Sequence, residues 1–143
     1  MSRLISTEAP GAMRNRLLKL TYLTSNELIK QNGLCSKSKD MAAFIVLTLT
    51  KISDLVDQTA KAWEDRNYWL KSDLFQKEWT WVSGRRDELE QAMKENDWPL
   101  IVRVSTEILS NSTVFKKGTR FSQTEPWKGA YSELLSRKNK KVH

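Results

Sequence analysis

The sequence predicts an all-α protein: an antiparallel bundle of about four helices with a short extra C-terminal helix and a basic tail. Five glycines and three prolines in 143 residues favour long helices over many short strands joined by turns. Apolar residues recur every three or four positions over 41–63 and over 74–93. We expect one domain, with the bundle in residues 1–111 and a basic loop, short helix and tail in residues 112–143.

The first predicted helix begins near Pro10 and ends near Gln31. Proline suits the first turn of a helix because its missing N–H has no intrahelical partner there. Asn32-Gly33 supplies a stop, since glycine readily takes the left-handed conformation that closes a helix. The polar connection that follows, LCSKSKD, offers Ser38 or Asp40 as the N-cap of the second helix.

The second helix is predicted over Met41–Trp63, after which the polar sequence EDRN breaks the apolar phase. Asn67 tolerates the left-handed conformation, so we place a tight turn there and a third helix over 68–95. The alternative is one continuous helix over 40–95, because neither glycine nor proline marks the turn. The phase break favours the helical hairpin.

Two further helices complete the bundle. Asp97 caps the fourth, which has Pro99 in its first turn and ends near Ser110. Residues 111–124 are loop-like. A short helix restarts at Thr124-Glu125-Pro126, and the sequence RKNKKVH after it predicts a frayed tail. The apolar side of this last helix is predicted to consist of Trp127, Tyr131, Leu134 and Leu135.

The sequence RNYWLKSDLFQKEWTWV, residues 66–82, holds three of the six tryptophans. Successive residues of a helix turn by about 100°, so Phe75, Trp79 and Val82 share one side and predict core packing. Trp69 projects about 140° from that side. We expect it to pack at the end of the bundle beside the turn. The alternative is an exposed aromatic that anchors a partner or stacks on a base.

Charged residues also fall within the apolar sector of this helix. Arg86 and Glu78 lie inside it, and Arg85 flanks it. Either these charges are buried and pair with each other, or the face meets another chain. Aromatic residues and arginine together are typical of interface centres. The candidate partner interface consists of Trp69, Trp81, Arg85 and Arg86.

Positive charge is concentrated at the C-terminal end. The last 32 residues hold eight Lys or Arg against two Asp or Glu, which leaves +6 of the chain's net +7. In TVFKKGTRF, residues 113–121, two phenylalanines bracket cations around a glycine, which suits phosphates and unpaired bases. The alternative is a loop pinned by its phenylalanines, with solvated lysines. The candidate nucleic-acid-binding residues are Lys116, Lys117, Arg120, Phe121 and Lys128, with Arg14 and Arg16 of the first helix.

The sequence lacks the residues that most catalytic sites require. The single histidine is the terminal His143, and Cys35 has neither a histidine nor a second cysteine as partner. We interpret Cys35 as a lone thiol in a connecting loop. No glycine-rich phosphate loop occurs. We therefore expect no enzyme, no bound metal and no cofactor.

Two acidic pairs stand at i, i+3 spacing, Asp54 with Asp57 and Asp87 with Glu90. They resemble the paired acidic motifs of the all-helical nucleotide pyrophosphatases of the MazG type, and that resemblance implies metal-dependent hydrolysis. The first pair has Asp where that family has Glu. Its side chains also point about 140–160° away from the apolar stripe of their helix, so we expect them to be solvated.

The sequence thus predicts a binding module. The first hypothesis is a non-catalytic, basic helical accessory subunit of a nucleic-acid-handling assembly, RNA or DNA, that contacts phosphates without reading sequence. The alternative is a protein–protein adaptor or homo-oligomeric bundle with incidental positive charge. A single cysteine, no secretory segment and no apolar run of membrane-spanning length predict a cytoplasmic protein that does not bind a membrane.

Overall fold

The computed structural model describes residues 9–111 and 125–141, the last four by their backbone alone. This part of the chain is helical, without strands, and the predicted all-α bundle with a short C-terminal helix is confirmed. The helices are α1 (Pro10–Leu28), α2 (Ser36–Asp65), α3 (Trp69–Glu78), α4 (Trp81–Lys94), α5 (Trp98–Ser110) and α6 (Ala130–Lys141).

The thirty-residue α2 is the central helix of the bundle. Every residue from Met41 to Leu49 is buried. A helix that is apolar all round must be covered on all sides, and α2 packs against α1, α3, α4 and α6. Phe44, Ile45 and Ile52 are among its fully buried side chains. The remaining helices are therefore arranged around α2, which fixes where their outer faces lie.

The cap of α2 differs from the predicted one. The helix begins at Ser36, five residues before Met41, and its N-cap is Cys35. The Cys35 Sγ accepts from the Ser38 N–H at 3.5 Å, and the Ser38 Oγ accepts from the Cys35 N–H at 2.8 Å. The prediction of Ser38 or Asp40 as N-cap was wrong because Ser38 closes this reciprocal pair from inside the first turn.

Asp40 caps a different helix. One carboxylate oxygen accepts from the Gly129 N–H at 3.2 Å and the other accepts from the Tyr131 N–H at 3.0 Å. These groups lie at the start of α6, where the first N–H groups of a helix have no intrahelical partner. α6 begins at Ala130, later than predicted, and its backbone continues to Lys141 through the residues predicted to fray. Asp40 therefore fixes α6 to the first turns of α2.

The turn after α2 is the predicted one, and a continuous helix over 40–95 is excluded. Asn67 has a φ of 64°. The Tyr68 N–H donates to the Trp63 carbonyl at 2.8 Å and the Asn67 N–H donates to the Glu64 carbonyl at 2.9 Å. This hydrogen-bond pattern is a Schellman motif, which closes a helix and reverses the chain direction.

The helix predicted over 68–95 is two joined helices, α3 and α4, which meet at Trp79 and Thr80. The N–H groups of Trp79, Thr80 and Val82 donate to carbonyls three residues earlier instead of four. The Thr80 Oγ1 also donates to the Gln76 carbonyl at 2.9 Å. A threonine that bonds back to a carbonyl one turn earlier can bend a helix, so the joint needs neither glycine nor proline.

The bounds of α1 and the N-terminal cap of α5 are close to those predicted from the sequence. α1 begins at Pro10 but ends at Leu28, three residues before Gln31. α5 has the predicted N-cap, because the Asp97 carboxylate accepts from the Leu100 N–H at 3.2 Å. The Tyr22 hydroxyl of α1 donates to the Asn111 carbonyl at the end of α5, and burial raises the pKa of Tyr22 to about 12. Among the described residues, no helix is long and apolar enough to cross a bilayer.

Because α2 is central, truncating one of its buried side chains should lower the free energy of unfolding more than truncating an exposed side chain of α3. Phe44→Ala removes a ring that is 1% exposed, so the free energy of unfolding should fall by about 3–5 kcal/mol. Leu70→Ala removes a side chain from the surface of α3 and should change it by less than about 0.5 kcal/mol. Urea unfolding of dilute protein, followed by circular dichroism, measures both. Equal losses in the two variants would contradict the burial of α2.

Candidate functional site

Large apolar side chains are exposed along α3. Tyr68 is 53% exposed, Trp69 61%, Leu70 72% and Leu74 58%. Among the described residues the other exposed large hydrophobic is Leu135 of α6, at 43%. We refer to Tyr68, Trp69, Leu70 and Leu74 as the α3 patch. Leu70 and Leu74 lie one turn apart on one face of α3, and Tyr68 and Trp69 lie at the start of the helix.

The opposite face of α3 is attached to the end of α2. Of the described residues of α3, Ser72 alone is buried. Its hydroxyl donates to the Glu64 carboxylate at 2.5 Å, and the Gln76 amide donates to both partners, at 3.2 Å to Glu64 and 2.9 Å to the Ser72 Oγ. Beside this network, the Phe75 ring meets the Trp63 ring edge-on at 4.9 Å. α3 is therefore anchored by a polar network and one aromatic contact.

Helical geometry explains why the apolar residues of α3 face outward. Ser72 points to α2, and residues two positions before or after it lie roughly 200° around the helix. Leu70 and Leu74 occupy those two positions. The inward positions are taken by Ser72 and Phe75, which bind Glu64 and Trp63. The leucines are thus left outside by the same contacts that hold the helix in place.

Trp69 shares this exposure, and its predicted packing at the end of the bundle was wrong. The turn at Asn67 sets the rotation of α3, and that rotation directs Ser72 and Phe75 toward α2. The alternative reading of the sequence, an exposed tryptophan next to a turn, describes the structure.

Charges of both signs border the α3 patch. Lys77 pairs with Asp73 at 3.0 Å, one turn apart, and both side chains are largely exposed. The Lys71 ammonium lies 4.6 Å from the centre of the Trp63 ring. Exposed ion pairs contribute little to stability, so the Asp73–Lys77 pair is available to exchange partners at a contact.

The other predicted interface residues are engaged within the bundle. Trp81 is half-buried and packs against the core. Arg85 pairs with Glu88 at 2.8 Å and with Glu107 of α5, which ties α4 to α5. Arg86 pairs with the neighbouring Asp87 at 3.1 Å and not with Glu78, which was one of the two possibilities that the sequence left open. The structure therefore leaves Trp69, and the residues next to it, as the open part of the predicted interface.

Arg14 lies against aromatic rings. Its guanidinium is 5.1 Å from the centre of the Phe75 ring and 5.2 Å from the centre of the Trp79 ring. Burial lowers the pKa of Arg14, and the charge of Glu78 opposes that shift. Its Nε is buried without a hydrogen-bond partner among the described residues. Arg14 thus joins α1 to the α3–α4 joint, and its contacts are those of a structural cation–π residue.

Those predicted nucleic-acid-binding residues that the structure describes do not lie close together. Lys116, Lys117, Arg120 and Phe121 lie outside the described residues. Arg14 and the half-buried Arg16 are on the half of α1 that meets α3, whereas the exposed Lys128 precedes α6 near Asp40. Asp40 and Trp63, at opposite ends of α2, are about 35 Å apart along the helix axis. Arg14 and Lys128 therefore do not share one patch.

The acidic residues and the cysteine that the sequence singled out lie apart from the α3 patch in the chain. Asp54 and Asp57 are exposed, as their helical phase predicts. Within residues 9–111 and 125–141, no three His, Cys, Asp or Glu side chains come close enough together to hold a metal ion.

Cys35 lies beside an open cleft of about 540 Å³. The Ser38 N–H lowers the pKa of its thiol, so a larger share is thiolate at neutral pH.

Comparison of the chain with models of known protein families, with curated proteins and with solved structures found no match. The function is therefore inferred from the surfaces described above.

The position of Arg14 predicts a role in stability. Arg14→Ala removes cation–π contact with two rings and the packing of the side-chain stem, so the free energy of unfolding should fall by about 1–2 kcal/mol. Lys19→Ala, at an exposed position on the same helix, should change it by less than about 0.5 kcal/mol. Thermal and urea unfolding measure both variants. Indistinguishable results would show that the ring contacts contribute nothing.

Proposed function

We propose that this protein is a non-catalytic interaction module that docks on a partner chain through the α3 patch. The observation that carries the proposal is the exposure of Leu70 and Leu74 on one face of a short helix, together with Tyr68 and Trp69 at its start. Scattered exposed hydrophobics are normal, whereas contiguous ones mark contact surfaces. From the exposed fractions, the four side chains together expose roughly 400–500 Å², divided between the Leu70–Leu74 face and the start of α3.

The composition of the α3 patch supports a protein partner. Tryptophan and tyrosine are enriched among the residues that dominate binding energy, because they present a large surface and lose few rotamers when they bind. Charged residues surround the patch, as at the rim of an interface: Lys71, Asp73 and Lys77. Opposite charges at the rim help select a partner and its orientation.

The attachment of α3 favours binding without a large ordering cost. Ser72, Gln76 and Glu64 form a closed set of hydrogen bonds beneath the helix. The Schellman motif at Asn67 fixes where α3 begins. Because the apolar residues are held on a formed helix, a partner does not have to order this segment, and less of the binding free energy is lost on association.

The single cysteine and the absence of a membrane-spanning helix among the described residues support, within this proposal, a module that works in a reducing compartment such as the cytoplasm.

Outward charge substitutions on α3 should abolish capture of a partner. The double variant Leu70→Glu with Leu74→Glu places two carboxylates in the centre of the α3 patch, so binding should weaken by roughly 100-fold or more. Leu135→Glu, at the exposed apolar position of α6, should bind like the parent. The measurement is quantitative recovery of binding partners by the immobilised full chain and its variants. Equal recovery by the parent and the double variant would reject the α3 patch as the docking surface.

A second candidate function is contact with nucleic-acid phosphates, which the +6 charge of residues 112–143 favours. The residues that would make it are Lys116, Lys117, Arg120 and Lys128, with Phe121 stacking on a base. This activity could coexist with docking through α3, because it uses a different segment of the chain. Together they describe an accessory subunit that binds an assembly and its nucleic acid.

Salt dependence tests this second candidate. With three to five phosphate contacts, the logarithm of the affinity for random-sequence RNA or DNA should fall with the logarithm of salt concentration at a slope of roughly −2 to −4. Replacing Lys116, Lys117 and Arg120 by Gln should flatten the slope and weaken binding to all sequences alike. The α3 double variant should bind nucleic acid like the parent. A triple variant that binds as tightly as the parent at every salt concentration would remove this candidate.

A further inference from the structure

We propose that the partner of the α3 patch is a second copy of this chain, docked about a two-fold axis perpendicular to α3. The inference rests on the proposed function, since it names the occupant of the same surface. Three observations select this occupant: the exposed leucines of the α3 patch, the balance of charge around them and the position of the Asp73–Lys77 pair.

The exposed apolar residues of α3 can form the centre of a two-fold interface. A standard interface buries about 800 Å² on each partner, and the homodimer interfaces are about 65% apolar. Leu70 and Leu74 supply the apolar centre of the face that meets the copy, and Trp69 lies at its edge. Lys71, Asp73 and Lys77 border it and can supply the polar remainder. A two-fold contact uses the same surface on both copies, so one such patch suffices.

The charge of α3 permits self-association of a basic protein. The whole chain carries a net charge of +7, and two copies repel each other at long range. Within residues 68–78, however, Lys71 and Lys77 are balanced by Asp73 and Glu78. The surface that would meet its own copy is thus neutral and carries both signs. A strongly acidic partner would find no net positive charge there.

The Asp73–Lys77 pair fits a two-fold axis. Leu70, Leu74 and Lys77 follow one line of the helix at spacings of four and three, and Asp73 lies beside Lys77. Two antiparallel helices related by a two-fold axis place the same flanks opposite each other. An axis near residue 75 sets Leu74 against Leu74 of the second copy. It also sets Asp73 against Lys77 of the second copy, so the two exposed pairs within the chains become two pairs between them.

Sedimentation velocity of the full chain over a concentration series tests the proposal. The parent should pass from a 16.6 kDa monomer to a dimer of twice that mass as concentration rises. Leu74→Glu sets two carboxylates together at the axis, so the dissociation constant should rise by roughly 100-fold. Leu135→Glu should dimerise like the parent, and circular dichroism melts should be alike for all variants because these positions are exposed.

Charge-reversal variants of Asp73 and Lys77 distinguish ion pairs between two copies from an ion pair within one helix. Asp73→Lys alone and Lys77→Asp alone place like charges opposite each other in a homodimer, and each should weaken self-association by roughly 10-fold. A mixture of the two variants should form the heterodimer at near-parent affinity, because every pair across the axis is then of opposite sign. Failure of the mixture to associate more strongly than either variant alone would overturn the two-fold arrangement.

The remaining outcomes distinguish this inference from the proposed function. A parent chain that stays monomeric at every concentration overturns the second copy as partner. If that monomer still captures another protein and Leu70→Glu with Leu74→Glu abolishes the capture, the interaction module stands with a different occupant. If the parent chain is monomeric and captures no protein through the α3 patch, both the second copy as partner and the interaction module are rejected. A dimer that Leu74→Glu leaves intact uses another surface, and overturns the inference.

Discussion

Burial of one stretch of α2 on all sides is the constraint on which the rest of the structure depends. Nine consecutive residues, Met41–Leu49, are buried, and a stretch of that kind is stable only when helices cover every side. α1, α4 and α6 pack against α2, α3 packs against its C-terminal end, and α5 packs against α1 and α4. The polar contacts at the ends of α2 then set the orientation of its neighbours: Asp40 fixes the start of α6, and Glu64 fixes the rotation of α3. The surface of the protein follows from these contacts.

The exposed character of α3 arises from a competition between its two faces. An apolar face of Leu70 and Leu74 would ordinarily turn inward, at about 25 cal/mol for each Å² removed from water. The polar face is turned inward instead, because Ser72 satisfies the Glu64 carboxylate and Phe75 packs on Trp63. The apolar surface left outside is then available to a partner, which would recover that burial on association.

The distribution of cations separates structure from candidate function. Arg14 covers the Phe75 and Trp79 rings, and Arg85 joins α4 to α5, so these cations are part of the packing. The charge that remains for an anionic partner is concentrated in residues 112–143. A protein contact through α3 and a phosphate contact through the C-terminal segment would therefore be separate in mechanism, and each can be lost without the other.

The sequence by itself determined the helical class, the core stripe of α2, the turn at Asn67 and the cap of α5 at Asp97, because periodicity, left-handed tolerance and capping are local properties. The tertiary structure decided what depends on partners distant in sequence. Asp40 caps α6 instead of α2, Arg14 lies on rings some sixty residues away along the chain, and Leu70 and Leu74 are exposed because Glu64 draws Ser72 inward. The helical wheel gives the angle between residues, but the neighbouring helix decides which of those angles faces the core.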